Sequence, residues 1–234
     1  SMTRSYTSSV TDSAAGGTAL ATGERTFNGG IGVYFSDAEA VFSYPKNITE
    51  LCLERGMMTG VITSDETSGA TPASFSAHES DRGNTEEITE DQLNSGINLI
   101  WGTSNGLVTE HDAKVKGYQL ITTYDEMMAL PEGSSSFGAF TNDLWTLEQS
   151  DKSTPTLEQM TKKASEFIPA EDLNVIIGGI PCTEDKKTKE IFKAGILKLL
   201  YEQYGIKEKD FVSAEIEIVP ATHARDVGFD RSLI

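Results

Sequence analysis

The sequence predicts an α/β protein built on a largely parallel sheet with helices on its faces. Three observations lead there. Short apolar runs alternate with helical stretches, and glycines stand between a helix and the strand that follows. Apolar residues recur at helical spacing in the long segments and at a spacing of two in one late segment. Repeated helix, glycine, strand units argue for parallel strands joined by crossover helices.

In chain order, 14–22 reads as a short Ala-rich helix, and 24–47 carries Gly, Asn, Ser and Pro and reads mostly as loop. Ile48–Arg55 fits a helix closed by Gly56, a C-terminal glycine. Met57–Thr63 reads as a buried strand. Glu86–Asn94 is helical, Gly96 stops it, and Ile97–Trp101 is the next strand. Tyr118–Thr122 forms a short strand followed by a helix over Tyr124–Ala129. The segments 133–136 and 149–155 are loop-like. Thr156–Phe167 is helical, with Leu157, Met160 and Ala164 near one face. Asp172–Gly179 supplies a strand. Lys186–Tyr204 is the longest helix, striped by Ile191, Phe192, Ile196, Leu199 and Leu200. Phe211–Val219 alternates Ala214, Ile216 and Ile218 with Ser213, Glu215 and Glu217, a strand buried on one face.

Composition narrows the function. The 234 residues are 38% hydrophobic and carry a formal charge of −17. Such a charge repels phosphate backbones and excludes unaided nucleic-acid binding, although a local arginine or metal could still hold one phosphate. No apolar run approaches membrane-spanning length. Nothing at the start has the pattern of a signal peptide, and Ser1-Met2 reads as an engineered remnant. Cys52 and Cys182 lack metal-knuckle spacing and read as two buried free thiols.

The chemistry concentrates in two stretches. Thr11-Asp12-Ser13 precedes the first helix and sets a hydroxyl beside a carboxylate at its mouth. A helix N-terminus offers free N–H groups and the positive end of a dipole, which suit a phosphate or an anionic nucleophile. An Asp or Ser helix cap is the plainer reading of the same residues. The second stretch runs from Gly69 to His78 and on to Asp81-Arg82, after a strand's carboxyl end, the edge where open α/β sheets place ligands. Thr71 offers a hard oxygen suited to Mg²⁺, and Arg82 a planar fork for two phosphate oxygens. The plainer readings are a helix start at Thr71-Pro72 and a solvated surface arginine.

Taken together, TDSAAGGTALATG at 11–23, FNGGIGV at 27–33, ERGMMTGVITSDETSGATPASFSAH at 54–78, DRGN at 81–84 and PTLEQMTKKA at 155–164 resemble alkaline phosphatase, in that family's order, over about residues 3–164. The resemblance implies a partial alkaline-phosphatase-like parallel sheet. It implies phosphomonoester hydrolysis with Ser13 as the nucleophile, passing through a phosphoserine. Asp12 would orient the phosphate-binding Arg82, and Thr71 would ligate Mg²⁺. Two Zn²⁺ ions would flank the phosphate, with Ser13 bound to one of them. Gly69 stands where this family often carries Asp or His. The family's zinc ligands lie before and after the matching stretch, and His78, His111 and His223 are the only histidines here. The chain by itself is therefore expected to turn over phosphomonoesters negligibly.

From about 165 to 234 the resemblance changes. EDLNVIIGGIP at 171–181 and the run from Ile196 to Ile234 are similar to aspartyl aminopeptidase, a dinuclear zinc exopeptidase family. The match implies a segment of its dimerisation type, a C-terminal strand-helix-strand addition, with no aminopeptidase metal ligand carried onto any residue. His223 reads as a surface loop histidine, and Glu215 with Glu217 as a solvated strand face. The expected organisation is thus 1–164 phosphatase-like and 165–234 aminopeptidase-like. An engineered chimera, a natural fusion or joined fragments would each explain the seam. The alternative function is a non-catalytic assembly module, and zinc aminopeptidase activity is the weakest reading. The expected partners are a phosphomonoester or phosphate, no nucleic acid, no membrane, and a second copy of the chain. The phosphatase resemblance suggests an extracytoplasmic protein, and the aminopeptidase resemblance a cytoplasmic one.

Overall fold

The computed structural model describes residues 4–36, 41–141, 153–167 and 176–179. Five parallel strands form the main sheet: β3 (Gly60–Glu66), β4 (Leu99–Thr103), β5 (Gln119–Ile121), β6 (Ser136–Phe140) and β7 (Ile176–Gly179). Their order is β5-β6-β4-β3-β7. Around them lie α1 (Ser13–Thr22), α2 (Ile48–Leu53), α3 (Ala70–Ser74), α4 (Thr85–Asn94), α5 (Glu110–Val115), α6 (Tyr124–Met128) and α7 (Leu157–Glu166). A separate antiparallel hairpin pairs β1 (Tyr34–Ser36) with β2 (Val41–Ser43). The predicted parallel α/β architecture is the one observed.

Successive strand residues feed opposite faces of the sheet, as the pleat requires. Ile62, Leu99, Trp101 and Phe140 pack under α6 and α7 with Met127, Leu157, Met160 and Phe167. Val61, Ile100, Phe137 and Ala139 pack on the other face with Ala113 and Tyr118. A third small-residue cluster joins Ala14, Ile31, Ala70, Ala73, Ala77 and Ile88. That cluster sets α1 and α3 side by side. A Cβ on Gly17 would lie 2.7 Å from Ser74 Oγ and 3.5 Å from Thr71 Cα, so glycine permits the close approach.

Several elements depart from the sequence expectation. The strand assigned to Met57–Thr63 begins at Gly60, because Met57 N–H still donates to Cys52 O in the turn that leaves α2. The stretch 24–47 contains a hairpin, and the loop expected over 133–136 ends at Ser135, because Ser136 already pairs with Leu99 as the first residue of β6. The helix that starts near Thr71-Pro72 is short and stops at Ser74: Phe75 N–H donates to Pro72 O, and His78 N–H goes to Asp91 Oδ2. The Asp172–Gly179 strand is present as β7, which runs parallel beside β3 with Val61 opposite Ile177. The expected helix 186–204, the strand 211–219, Cys182 and His223 lie outside the described residues. Cys52 is a buried free thiol. No described helix is long and apolar enough to cross a membrane.

One helix cap carries a pH-dependent contribution. Glu126 accepts hydrogen bonds from the Thr122 and Thr123 N–H groups, at 2.7 and 3.1 Å. The Thr122 backbone bond is the largest cause holding its carboxyl below the ordinary glutamate value, against a smaller opposing effect of burial. A carboxyl depressed in the folded state stabilises fully above its unfolded value, and the benefit fades as pH falls through the folded value. Glu126→Gln is therefore expected to flatten the acid limb of a stability–pH curve below about pH 4.5, the ordinary glutamate value. Thermal unfolding of both proteins between pH 3 and 7 checks this.

Candidate active site

The candidate site forms where α1 begins. Asp12 is the helix cap: its backbone is extended and its Oδ1 accepts from Ala15 N–H at 2.9 Å. Its O accepts the helical bond from Gly16 N–H at 3.0 Å. Ser13 and Ala14 precede those donors, so their amides open onto the helix end, as the first amides of any helix do. Ser13 is half-buried, and its hydroxyl has no hydrogen-bond partner among the described residues.

Asp12 also reaches across the sequence. Its Oδ2 accepts from Gly29 N–H at 3.0 Å and from Arg82 at 3.4 Å. Arg82 keeps 43% of its side chain exposed, so its remaining donors face solvent beside the Ser13 end of α1. The cap reading and the nucleophile reading of Asp12-Ser13 are thus compatible: one carboxylate oxygen caps the helix and the other braces the arginine.

Thr71 sits near the start of α3, half-buried, with its Cα facing Gly17, one turn along α1 from Ser13. No hydrogen bond joins it to Ser13 or Arg82 among the described residues. The fold therefore brings Asp12, Ser13 and Arg82 together and sets Thr71 against the same helix. At Gly69 the space for a side chain is taken: a Cβ there would meet Asp65 Oδ2 at 2.7 Å.

Zinc and magnesium were expected here, and the described residues do not supply their sites. No three Asp, Glu, His or Cys side chains converge among them. Both carboxylate oxygens of Asp12 are engaged, and Thr71 offers a single neutral oxygen. His78 is held elsewhere: its ring nitrogens lie 2.6 Å from Gly32 O and 3.0 Å from Glu50 Oε2. His111 lies on α5 beside Asp112, whose pairing with Thr109 holds its carboxyl below the ordinary value.

Sequence reasoning missed the loop that completes the site. Asn28 and Gly29 bind Asp12, and Gly29 O accepts from Arg82 N–H at 2.8 Å. The available signal was FNGG itself, because a turn of Asn and glycines marks a backbone positioned for contact.

Comparison with known proteins finds a different family at each end of the chain. Residues 1–103 match the alkaline phosphatase family, and 154–234 match aminopeptidase I zinc metalloproteases of family M18. Alkaline phosphatase 4 of Bacillus subtilis is 30% identical over 168 residues, covering 66% of this chain and 35% of its own. A probable M18 family aminopeptidase 1 of Clostridium acetobutylicum is 57% identical over 77 residues, covering 33% of this chain and 16% of its own. The crystal structure of a cold-active alkaline phosphatase from a psychrophilic Shewanella superposes with a TM-score of 0.62 at 30% identity. It covers 72% of this chain and 42% of that one. The chain thus joins an alkaline-phosphatase-like part to an M18-aminopeptidase-like part. It spans about a third of the phosphatase relative and about a sixth of the aminopeptidase.

Proposed function

We propose that residues 1–164 form the phosphoryl-binding and nucleophile half of a phosphatase-type hydrolase, with 165–234 as a second, aminopeptidase-like unit. The observation that carries this reading is the Asp12–Arg82 contact at 3.4 Å beside Ser13, across seventy positions of sequence. A phosphate dianion placed there would accept from the amides at the start of α1 and from the guanidinium fork. Ser13 Oγ would then face the phosphorus. Attack would form the Ser13 Oγ–P bond and break the ester O–P bond, the proton lost from Oγ passing through solvent to the leaving alkoxide, which departs as the alcohol. Arg82 would hold the phosphoryl oxygens, and Asp12 would hold Arg82.

The families on both sides of the seam are metal-dependent hydrolases by resemblance, and in this family metal activates the serine. The described residues do not build such a site. The expectation is phosphate binding without appreciable turnover. The full chain should bind inorganic phosphate and hydrolyse p-nitrophenyl phosphate negligibly, even with Zn²⁺ and Mg²⁺ added. Steady hydrolysis abolished by Ser13→Ala would overturn the second expectation. A chain that binds no phosphate would sink the proposed site itself.

A further inference from the structure

We propose that Asn28 and Gly29 form a positioning bracket that locks the nucleophile loop to the arginine loop. The inference rests on the phosphoryl-binding reading above. Asn28 uses its side-chain amide on both sides of Thr11: Oδ1 accepts from Asp12 N–H at 3.2 Å, and Nδ2 donates to Val10 O at 2.8 Å. Its own N–H donates to Thr7 Oγ1 at 3.1 Å. An amide carries both an acceptor and donors, so a single side chain can span the Val10 carbonyl and the Asp12 N–H of the segment leading to Ser13.

Gly29 continues the bracket with its main chain. Its N–H donates to Asp12 Oδ2, and its carbonyl accepts from Arg82 N–H. The same carboxylate oxygen thereby receives both the Gly29 amide and the Arg82 guanidinium. Gly29 adopts φ +92°, a left-handed conformation that side chains other than glycine rarely take. The turn is fixed further along as well. Ile31 exchanges both backbone hydrogen bonds with Glu79 at 2.8 Å, and buried Thr18 Oγ1 donates to Gly30 O. The loop is thus anchored on α1 at one side and on the 79–82 segment at the other. Asp12 is thus held from three directions: Ala15 N–H on Oδ1, Gly29 N–H on Oδ2, and Asn28 Oδ1 on its backbone N–H.

Such a bracket acts on phosphate through Arg82, so its effect must depend on the guanidinium. Calorimetric titration of the full chain with inorganic phosphate tests this with Asn28→Ala, Arg82→Lys and the double variant, alongside their melting temperatures. Asn28→Ala is expected to weaken phosphate about tenfold. In the Arg82→Lys background it should add less than about twofold, because lysine has no fork to orient. Equal weakening in both backgrounds, or unchanged affinity in Asn28→Ala, would overturn the bracket while leaving the phosphate site standing. Absence of phosphate binding by the parent chain would overturn both. A variant that loses its folding transition is replaced by Gly29→Ala, which strains the same turn into empty space and should show the same dependence on Arg82.

Discussion

Trp101→Ala is expected to destabilise the protein by about 3–5 kcal/mol, the cost of removing a large aromatic from a packed core. Trp101 is fully buried in β4, and its indole N–H donates to Ser136 Oγ at 2.9 Å. Its ring lies across the neighbouring strand, where a Cβ on Gly138 would meet the indole at 2.9 Å. Phe167, just past α7, meets it edge-on with ring centroids 6.5 Å apart. The truncation would leave a void between β4, β6 and α7 and strip Ser136 of its partner. Small domains have only about 5–15 kcal/mol to lose. Urea unfolding of both proteins checks the figure, and a loss under about 1 kcal/mol would show that the described packing around β4 is wrong.

Arg82→Ala is expected to weaken inorganic phosphate at least tenfold and up to about a hundredfold. A hydrogen bond to a charged group is worth about 1.5–3 kcal/mol, and 1.4 kcal/mol is a factor of ten. With a net charge of −17, the rest of the protein repels a phosphate dianion, so the local fork must do most of the attracting. Its partner Asp12 stays engaged in the variant through Ala15 and Gly29, so α1 keeps its cap. Stability should therefore change little while affinity falls. Calorimetry at low ionic strength reads the first effect and thermal unfolding the second.

Most of the sheet was legible because its strands are apolar runs bounded by glycines and capped helices. The exceptions have tertiary causes. β6 follows Ser134 and Ser135 and contains Ser136 and Gly138, residues that weaken a strand pattern. They are small because the Trp101 ring needs that space and that hydroxyl. The β1–β2 hairpin has an outward strand of exposed residues, and its pairing is supported by ring contacts such as Phe35 with Phe42 at 5.0 Å. Such contacts leave no periodic trace. α5 buries only Ala113, so no apolar stripe announced it, although its Thr109–Asp112 capping box was there to be read.

The candidate site divides in the same manner. Side chains with chemistry of their own, Ser13, Thr71 and Arg82, stood out by type and by family resemblance. Asp12 was visible as a cap, and its second role needed the fold to bring Arg82 within reach. Asn28 and Gly29 act mainly on backbone groups, a role that spacing does not encode.

The central claim is a phosphate site at the start of α1, and amide NMR of the full chain titrated with inorganic phosphate tests it most directly. The account predicts saturable shifts centred on the amides of Ser13 and Ala14 and on the Arg82 guanidinium, with the two amide titrations moved to at least tenfold higher phosphate in Arg82→Ala. Shifts confined to exposed lysines such as Lys114 and Lys116, or unchanged by Arg82→Ala, would contradict it.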